Sequence, residues 1–185
     1  MAPPIPQIAC QKVYGCAYWK RECFALTVEM IVEKACHLQY CGFLNGDRPS
    51  SFFCLLLKLV QMSPSIEVIR AYLEYSGGSP SNHSEDQMHD LRYLRALAIA
   101  YLRLVGSPAV IYSTLEKFYG DYRRLNVITP AGAWEVITVD VWVELMLNQR
   151  NEPVYGFLFP TLTKRAVVQA RREIGEYESS LFTDE

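Results

Sequence analysis

Residues 91–119 read LRYLRALAIAYLRLVGSPAVIYSTLEKFY. Apolar residues recur at helical spacing from Leu91 to Val105, and Gly106 stops the run, so this stretch predicts a strong helix. Ser107-Pro108 then opens another, a capping residue followed by proline at the first helical position. That second helix runs to about Tyr119, Gly120 interrupts it, and Asp121 to Leu125 continue as a turn. On the first helix Arg92, Arg95 and Arg103 fall within an arc of about 80° at ~100° per residue. Ile99 shares that arc, so arginines here are expected to run over apolar surface to an acidic partner inside the protein.

The pattern on both sides agrees with a helical protein. Residues 1–17 carry three prolines and little periodicity, which predicts an extended N-terminal arm. Tyr18 to about Leu38 reads as one helix, with an apolar surface too wide for a surface helix. Gly42 and the Asn45-Gly46-Asp47-Arg48-Pro49 run end it in a loop. Ser50 or Ser51 caps a short buried helix, Phe52 to Met62, and Ser65 caps another, Ile66 to Tyr75. Residues 76–90 are polar and glycine-rich, and predict a loop that folding does not need.

Beyond the quoted stretch the period changes. Residues 125–128 and 134–138 are β-branched or aromatic, with turn chemistry at Thr129-Pro130-Ala131-Gly132-Ala133 between them. Val139 to Asn148 returns to helix, and Leu162 to about Tyr177 forms the last one. The expected fold is mainly α, a single compact multi-helix domain at 18–178 with one small β-hairpin at about 125–138, and a C-terminal tail at 179–185.

Composition narrows the function. The chain has 185 residues, half of them apolar and 21% charged, which excludes general disorder. At this size roughly 70% of the unfolded surface is removed from water on folding. Eighteen basic against 20 acidic residues give a net charge of −2, which argues against a blanket positive field for nucleic acid. No charge-free stretch approaches the ~18 residues of a spanning helix. The N-terminus lacks the pattern of a secretory signal, so the expected compartment is cytosol or nucleus.

The six cysteines, Cys10, Cys16, Cys23, Cys36, Cys41 and Cys54, lie in the first third and form no CxxC. They read as buried free thiols, not as metal ligands. Cys36 and His37 are adjacent and point about 100° apart on a helix, a poor start for a shared ligand set.

Catalytic grammar is missing: there is no phosphate loop, dinucleotide fingerprint, GxSxG or HExxH. Glu29 and Glu33 share one helical face and are expected to meet arginines of a neighbouring helix, with Arg95 and Arg103 the first candidates. Arg123, Arg124, Lys164, Arg165, Arg171 and Arg172 offer a possible basic face, and with it an alternative reading as an RNA-binding helical module. No catalytic, cofactor or metal residue is assigned. The leading reading is capture of a partner's helix in a groove. The aromatics and aliphatics of residues 107–125 and of the final helix are the expected lining.

Five blocks in order resemble the pre-mRNA-splicing factor 38 family. They are YWKRECFALT at 18–27, FFCLLLKL at 52–59, the stretch from 91 to 125, Trp134 to Leu147, and FPTLTKR at 159–165. The resemblance covers most of residues 14–170. It implies a nuclear, non-enzymatic spliceosome component that joins the precatalytic complex with the tri-snRNP and is needed for activation. It also implies a helical scaffold that binds helical segments of other splicing proteins. Those include a zinc-finger splicing protein and a microfibrillar-associated-protein-like partner. No cofactor and no membrane belong to the pattern. Against the family, the arm before Tyr18 is shorter and less basic, residues 76–90 are longer, and no arginine–serine tail follows Glu185.

Overall fold

The computed structural model describes residues 5–75, 91–148 and 152–171. Helix α1, Gln7–Gly15, occupies the segment expected to be an extended arm. Proline at the N-cap costs no hydrogen bond, since a helix's first N–H groups have no intrahelical partner. Pro6 instead offers its carbonyl to Cys10 N at 3.1 Å. Fully buried Ile5 and Val13 hold the helix to the core.

The helix expected from 18 to 38 is two pieces. A π-helical turn, Trp19–Cys23, is followed by α2, Val28–Cys36. Between them Thr27 is extended, and its hydroxyl accepts from Met30 N at 3.4 Å. A threonine side chain that caps competes with a continuous helix, and here the cap wins. The break leaves Phe24 84% exposed, whereas Cys23 and Leu26 are buried.

Two residue pairs form a minimal antiparallel ladder, β1 at Leu44–Asn45 and β2 at Arg48–Pro49, inside the expected loop. Ser50 then caps α3, Ser51–Met62, by accepting from Phe53 N at 2.9 Å. α4, Ile66–Glu74, follows; its Tyr72 hydroxyl donates to Val28 O. Residues 76–90, where the sequence predicts a loop, lie outside the described residues.

α5, Arg92–Val105, is the axis of the fold: every residue from Tyr93 to Leu104 is buried. It packs against α2, α3 and α4. α6, Pro108–Leu115, begins at the predicted serine–proline pair and tightens into a 3₁₀ turn, Glu116–Phe118. The predicted hairpin is present as β3, Arg124–Ile128, and β4, Trp134–Thr138, with Arg124 opposite Thr138 and Ile128 opposite Trp134. Cys41 adds a parallel bridge to Val127, and Gly42 makes that approach possible. Gly42 has φ +123°, and a Cβ there would stand 2.7 Å from Ile128 O.

α7, Val139–Asn148, closes the far side of α5. Its Trp142 is fully buried and donates through Nε1 to Ala96 O at 3.2 Å. Around it Phe43, Phe52, Phe53, Phe157 and Phe159 make a continuous aromatic cluster with centroids 4.8–6.4 Å apart. Such pairs contribute about 0.5–1.5 kcal/mol each beyond area burial. Helix returns at residues 165–171, not at Leu162. The carbonyls of Pro160 and Thr163 are held by side chains of α5 and α6, which keeps residues 160–164 out of a helical ladder. The architecture is therefore the expected mainly α fold with a hairpin of two five-residue strands, plus the small β1–β2 ladder.

Candidate functional site

The site is built on the outer face of α7. Val141, Glu144, Leu145 and Asn148 are spaced i, i+3, i+4, i+7, so they share a face that flanks the buried side carrying Trp142 and Met146. With residues 152–155 they line a surface groove of about 580 Å³. Leu145 and Val141 are half-buried and Glu144 is exposed.

The opposite wall is a tight turn. Val154 N donates to Phe157 O at 2.8 Å and Phe157 N to Val154 O at 3.0 Å. The two residues between, Tyr155 and Gly156, have φ +44° and +84°. A two-residue connection with both φ positive is the type I′ pattern, which glycine adopts without cost and tyrosine does not. The tyrosine is held there from two sides. Its ring stacks on Trp142 at 5.9 Å, and its hydroxyl donates to Glu135 Oε2 at 3.3 Å. Burial first, then the Glu135 carboxylate, push the Tyr155 hydroxyl up to about 12.

Arg103 fixes the two walls to each other. Its Nε donates to Met146 O in the last turn of α7 at 2.8 Å, and NH2 donates to Pro160 O at 2.7 Å. Its guanidinium lies 5.6 Å from the Phe159 ring. One cation thus serves an orphan carbonyl of a helix C-terminus and anchors the chain that carries the turn.

The pairs expected between Glu29 or Glu33 and Arg95 or Arg103 are not formed. Both glutamates are exposed on α2. Glu29's carboxyl is held low by its own backbone N–H and by the Thr27 hydroxyl, a local first-turn arrangement. Arg95 instead meets Asp121, NH1 to Oδ2 at 2.5 Å, and donates through Nε to Leu73 O at 2.6 Å. Arg103 has carbonyls in place of a carboxylate. Burial pushes the Asp121 carboxyl up, but hydrogen bonds from Arg123 and Arg95 together outweigh it and hold the group below its usual range.

The proposed basic face is partly neutralised. Arg123 donates through Nε to Asp121 Oδ1 at 2.9 Å, and Arg165 pairs with Glu116 at 2.5 Å. Arg124, Lys164 and Arg171 are exposed, and Arg172 lies outside the described residues. Of the expected groove lining at 107–125, Ile111, Thr114 and Leu115 are buried in the core, while Tyr119 and Tyr122 are exposed. A surface groove is present on α7. Its signals in the sequence are the i, i+3, i+4, i+7 set on α7 and the Tyr155-Gly156 dipeptide.

Among the thiols, Cys23, Cys41 and Cys54 are buried, and Cys16 Sγ lies 3.5 Å from Cys54 Sγ. Burial pushes Cys23 up to about 12. Among the described residues no cluster of three or more His, Cys, Asp or Glu is arranged to hold a metal ion, and no helix is long and apolar enough to cross a membrane.

A family model, the PRP38 family, matches residues 3–172. The chain is 32% identical over 182 residues to pre-mRNA-splicing factor 38A of Xenopus tropicalis, covering 97% of this chain and 54% of the relative. It is 32% identical to pre-mRNA-splicing factor 38 of Drosophila melanogaster and 31% to factor 38A of Homo sapiens, each over 97% of this chain and 51% and 54% of the relatives. The chain thus spans about half the length of the curated relatives it matches. Its fold also matches a chain in the crystal structure of the Snu23-Prp38-MFAP1(217-258) complex of Chaetomium thermophilum. That match has a TM-score of 0.79 at 25% identity, over 92% of this chain and 82% of the other. With a family model across nearly its whole length and five sequence blocks in order, the chain belongs to the PRP38 family.

Proposed function

We propose that this chain is a non-enzymatic spliceosomal scaffold that captures segments of other splicing proteins. It acts in the nucleus, in the precatalytic complex with the tri-snRNP, and is needed for spliceosome activation. The observation that carries this reading is the fold match, at a TM-score of 0.79, to a chain from a complex that contains Snu23 and MFAP1. A zinc-finger protein of the Snu23 type and a helical MFAP1-type segment are therefore its expected partners. The internal pairing of Arg123 with Asp121 and of Arg165 with Glu116 favours this over direct RNA binding, because paired arginines offer less charge to phosphates.

Titration calorimetry at two salt concentrations tests the proposal. An MFAP1-type helical peptide is expected to bind at micromolar or tighter dissociation constants with a negative heat-capacity change and a shallow salt dependence. Failure to bind at tens of micromolar, with steeply salt-dependent binding to single-stranded RNA instead, would promote the RNA reading.

A further inference from the structure

We infer that Cys16 and Cys54 form a redox modification site: a peroxide oxidises Cys16, and Cys54 then closes a reversible disulfide that staples the N-terminal segment to α3. All six cysteines are free thiols in the structure. Geometry sets these two apart. Their sulfurs lie 3.5 Å apart, across 38 residues of sequence. A disulfide needs about 2.05 Å, so the atoms have to close by about 1.5 Å, a movement that side-chain rotation can supply.

Both ends are held in place. Cys16 sits where α1 meets the π-helical turn; its N–H donates to Val13 O at 3.1 Å and its carbonyl accepts from Lys20 N at 3.3 Å. Cys54 lies in the first turn of α3, and its N–H donates to Ser50 O at 3.0 Å. The Tyr14 and Trp19 rings meet at 5.3 Å, and Gln61 Nε2 of α3 donates to the Tyr14 hydroxyl at 3.0 Å. The sulfurs therefore face each other because α1 and the π-helical turn both pack on α3.

The two thiols have different roles. Cys16 is half-buried and within reach of a small oxidant, whereas Cys54 is fully buried. Cys16 Sγ accepts from Trp19 N at 3.4 Å, and such a donor favours the thiolate, the form that attacks peroxide. Burial pushes the Cys54 thiol up, so it keeps its proton and is the donor in the contact between the sulfurs. The other half-buried thiols are engaged in the opposite sense. Cys10 Sγ donates to Ile5 O at 3.8 Å and Cys36 Sγ to Val32 O at 3.2 Å, contacts that keep the proton on sulfur.

The chemistry takes two steps. The Cys16 thiolate attacks one oxygen of hydrogen peroxide and the O–O bond breaks. That leaves a sulfenic acid on Cys16 and a hydroxide, which takes up the proton Cys16 gave up and becomes water. The Cys54 sulfur then attacks the Cys16 sulfur, the S–O bond breaks, and the hydroxyl leaves with the Cys54 proton as a second water. Two thiols and one peroxide thus give one disulfide and two waters. A dithiol reductant returns both thiols by exchange.

The test uses the full chain, fully reduced and then exposed to hydrogen peroxide without denaturant. Remaining thiols are alkylated, and linked peptides are mapped by mass spectrometry. Two of the six thiols should be lost, with Cys16–Cys54 the dominant link. The bridged chain should melt roughly 5–10 °C above the reduced one, because closing a loop of this length restricts the unfolded chain. Dithiothreitol should reverse the shift. Cys16→Ser should leave Cys54 unlinked. Cys54→Ala should stop the reaction at the sulfenic acid, trapped on Cys16 by dimedone; where that variant does not fold, the link map of the unmodified chain decides. A dominant link from Cys16 to Cys23, oxidation of Cys10 or Cys36 ahead of Cys16, or a Cys16–Cys54 yield no higher in native protein than in urea would overturn the assignment.

Discussion

Arg95 and Arg103 sit on one helix, 8% and 3% exposed, and their surroundings differ in kind. Arg95 meets the Asp121 carboxylate, which Arg123 also holds, under the face of Phe118 at 4.9 Å. Arg103 meets two backbone carbonyls beside Phe159 and has no carboxylate in reach among the described residues. Burial pulls Arg103 below its ordinary range, with Tyr112 opposing it, yet a guanidinium starts so high that it stays charged. The comparison teaches that a buried arginine needs hydrogen-bond acceptors in fixed positions more than it needs an opposite charge. The carbonyls at a helix C-terminus, already carrying partial negative charge, suffice.

The largest effect is expected at the carbonyl end. Arg103→Met keeps an apolar stem but leaves Met146 O and Pro160 O without their donor and releases the far wall of the groove. The loss is about 3–5 kcal/mol, readable as a drop in urea midpoint. Arg103→Lys should recover only part of it, since one ammonium does not reproduce the planar fork that spans both carbonyls. A loss below about 1 kcal/mol would show that the two walls are held by packing alone.

The carboxylate end should give less, and it should respond to pH. In Arg95→Met the Asp121 carboxylate keeps Arg123 and the Arg123 backbone N–H, so the cost is about 1–3 kcal/mol. The folded Asp121 pKa lies below its unfolded value. Its contribution is therefore complete above about pH 4 and is lost as pH falls through the lower folded value. Wild type and Arg103→Met should both lose stability in that acid window, whereas Asp121→Asn should lose correspondingly less. Parallel acid profiles for wild type and Asp121→Asn would remove the carboxylate from the account.

The same contrast marks what was legible in the sequence. The helix from Leu91 to Val105, the cap at Ser50, the serine–proline start of α6 and the hairpin at about 125–138 all follow from local pattern, and each is present. The partners of the two arginines are not local. Asp121 sits in a turn after α6, where it reads as loop chemistry, and a backbone carbonyl has no signature in a sequence at all. The groove was hidden for a similar reason. One wall is a helix face whose glutamate and asparagine read as a wet side, and the other depends on a turn brought back across Trp142. At Thr27 a capping hydroxyl overrides a continuous apolar pattern, whereas the helix at Gln7–Gly15 has no such pattern to announce it, because residues 1–17 carry three prolines and little periodicity.

The smallest expected effect closes the question of α2. Glu29 and Glu33 share a face by spacing, which made them the natural partners for buried arginines. In the structure both are exposed, and Glu29's carboxyl is turned toward the first turn of its own helix. An acidic residue there interacts with the helix dipole in high dielectric, an interaction that salt screens. Glu33 lies one turn later, where its backbone carbonyl faces His37 Nδ1 at 2.8 Å and its side chain is not needed for that contact. The double variant Glu29→Gln/Glu33→Gln should therefore melt within about a degree of wild type at moderate salt, because surface substitutions away from buried networks change little. It should also leave the Arg95 and Arg103 variants with the same losses they show alone, since distant sites add. Coupling between Glu33→Gln and Arg95→Met in a double-mutant cycle would mean that the two helices share a charge network after all, and that Asp121 is only one of Arg95's partners.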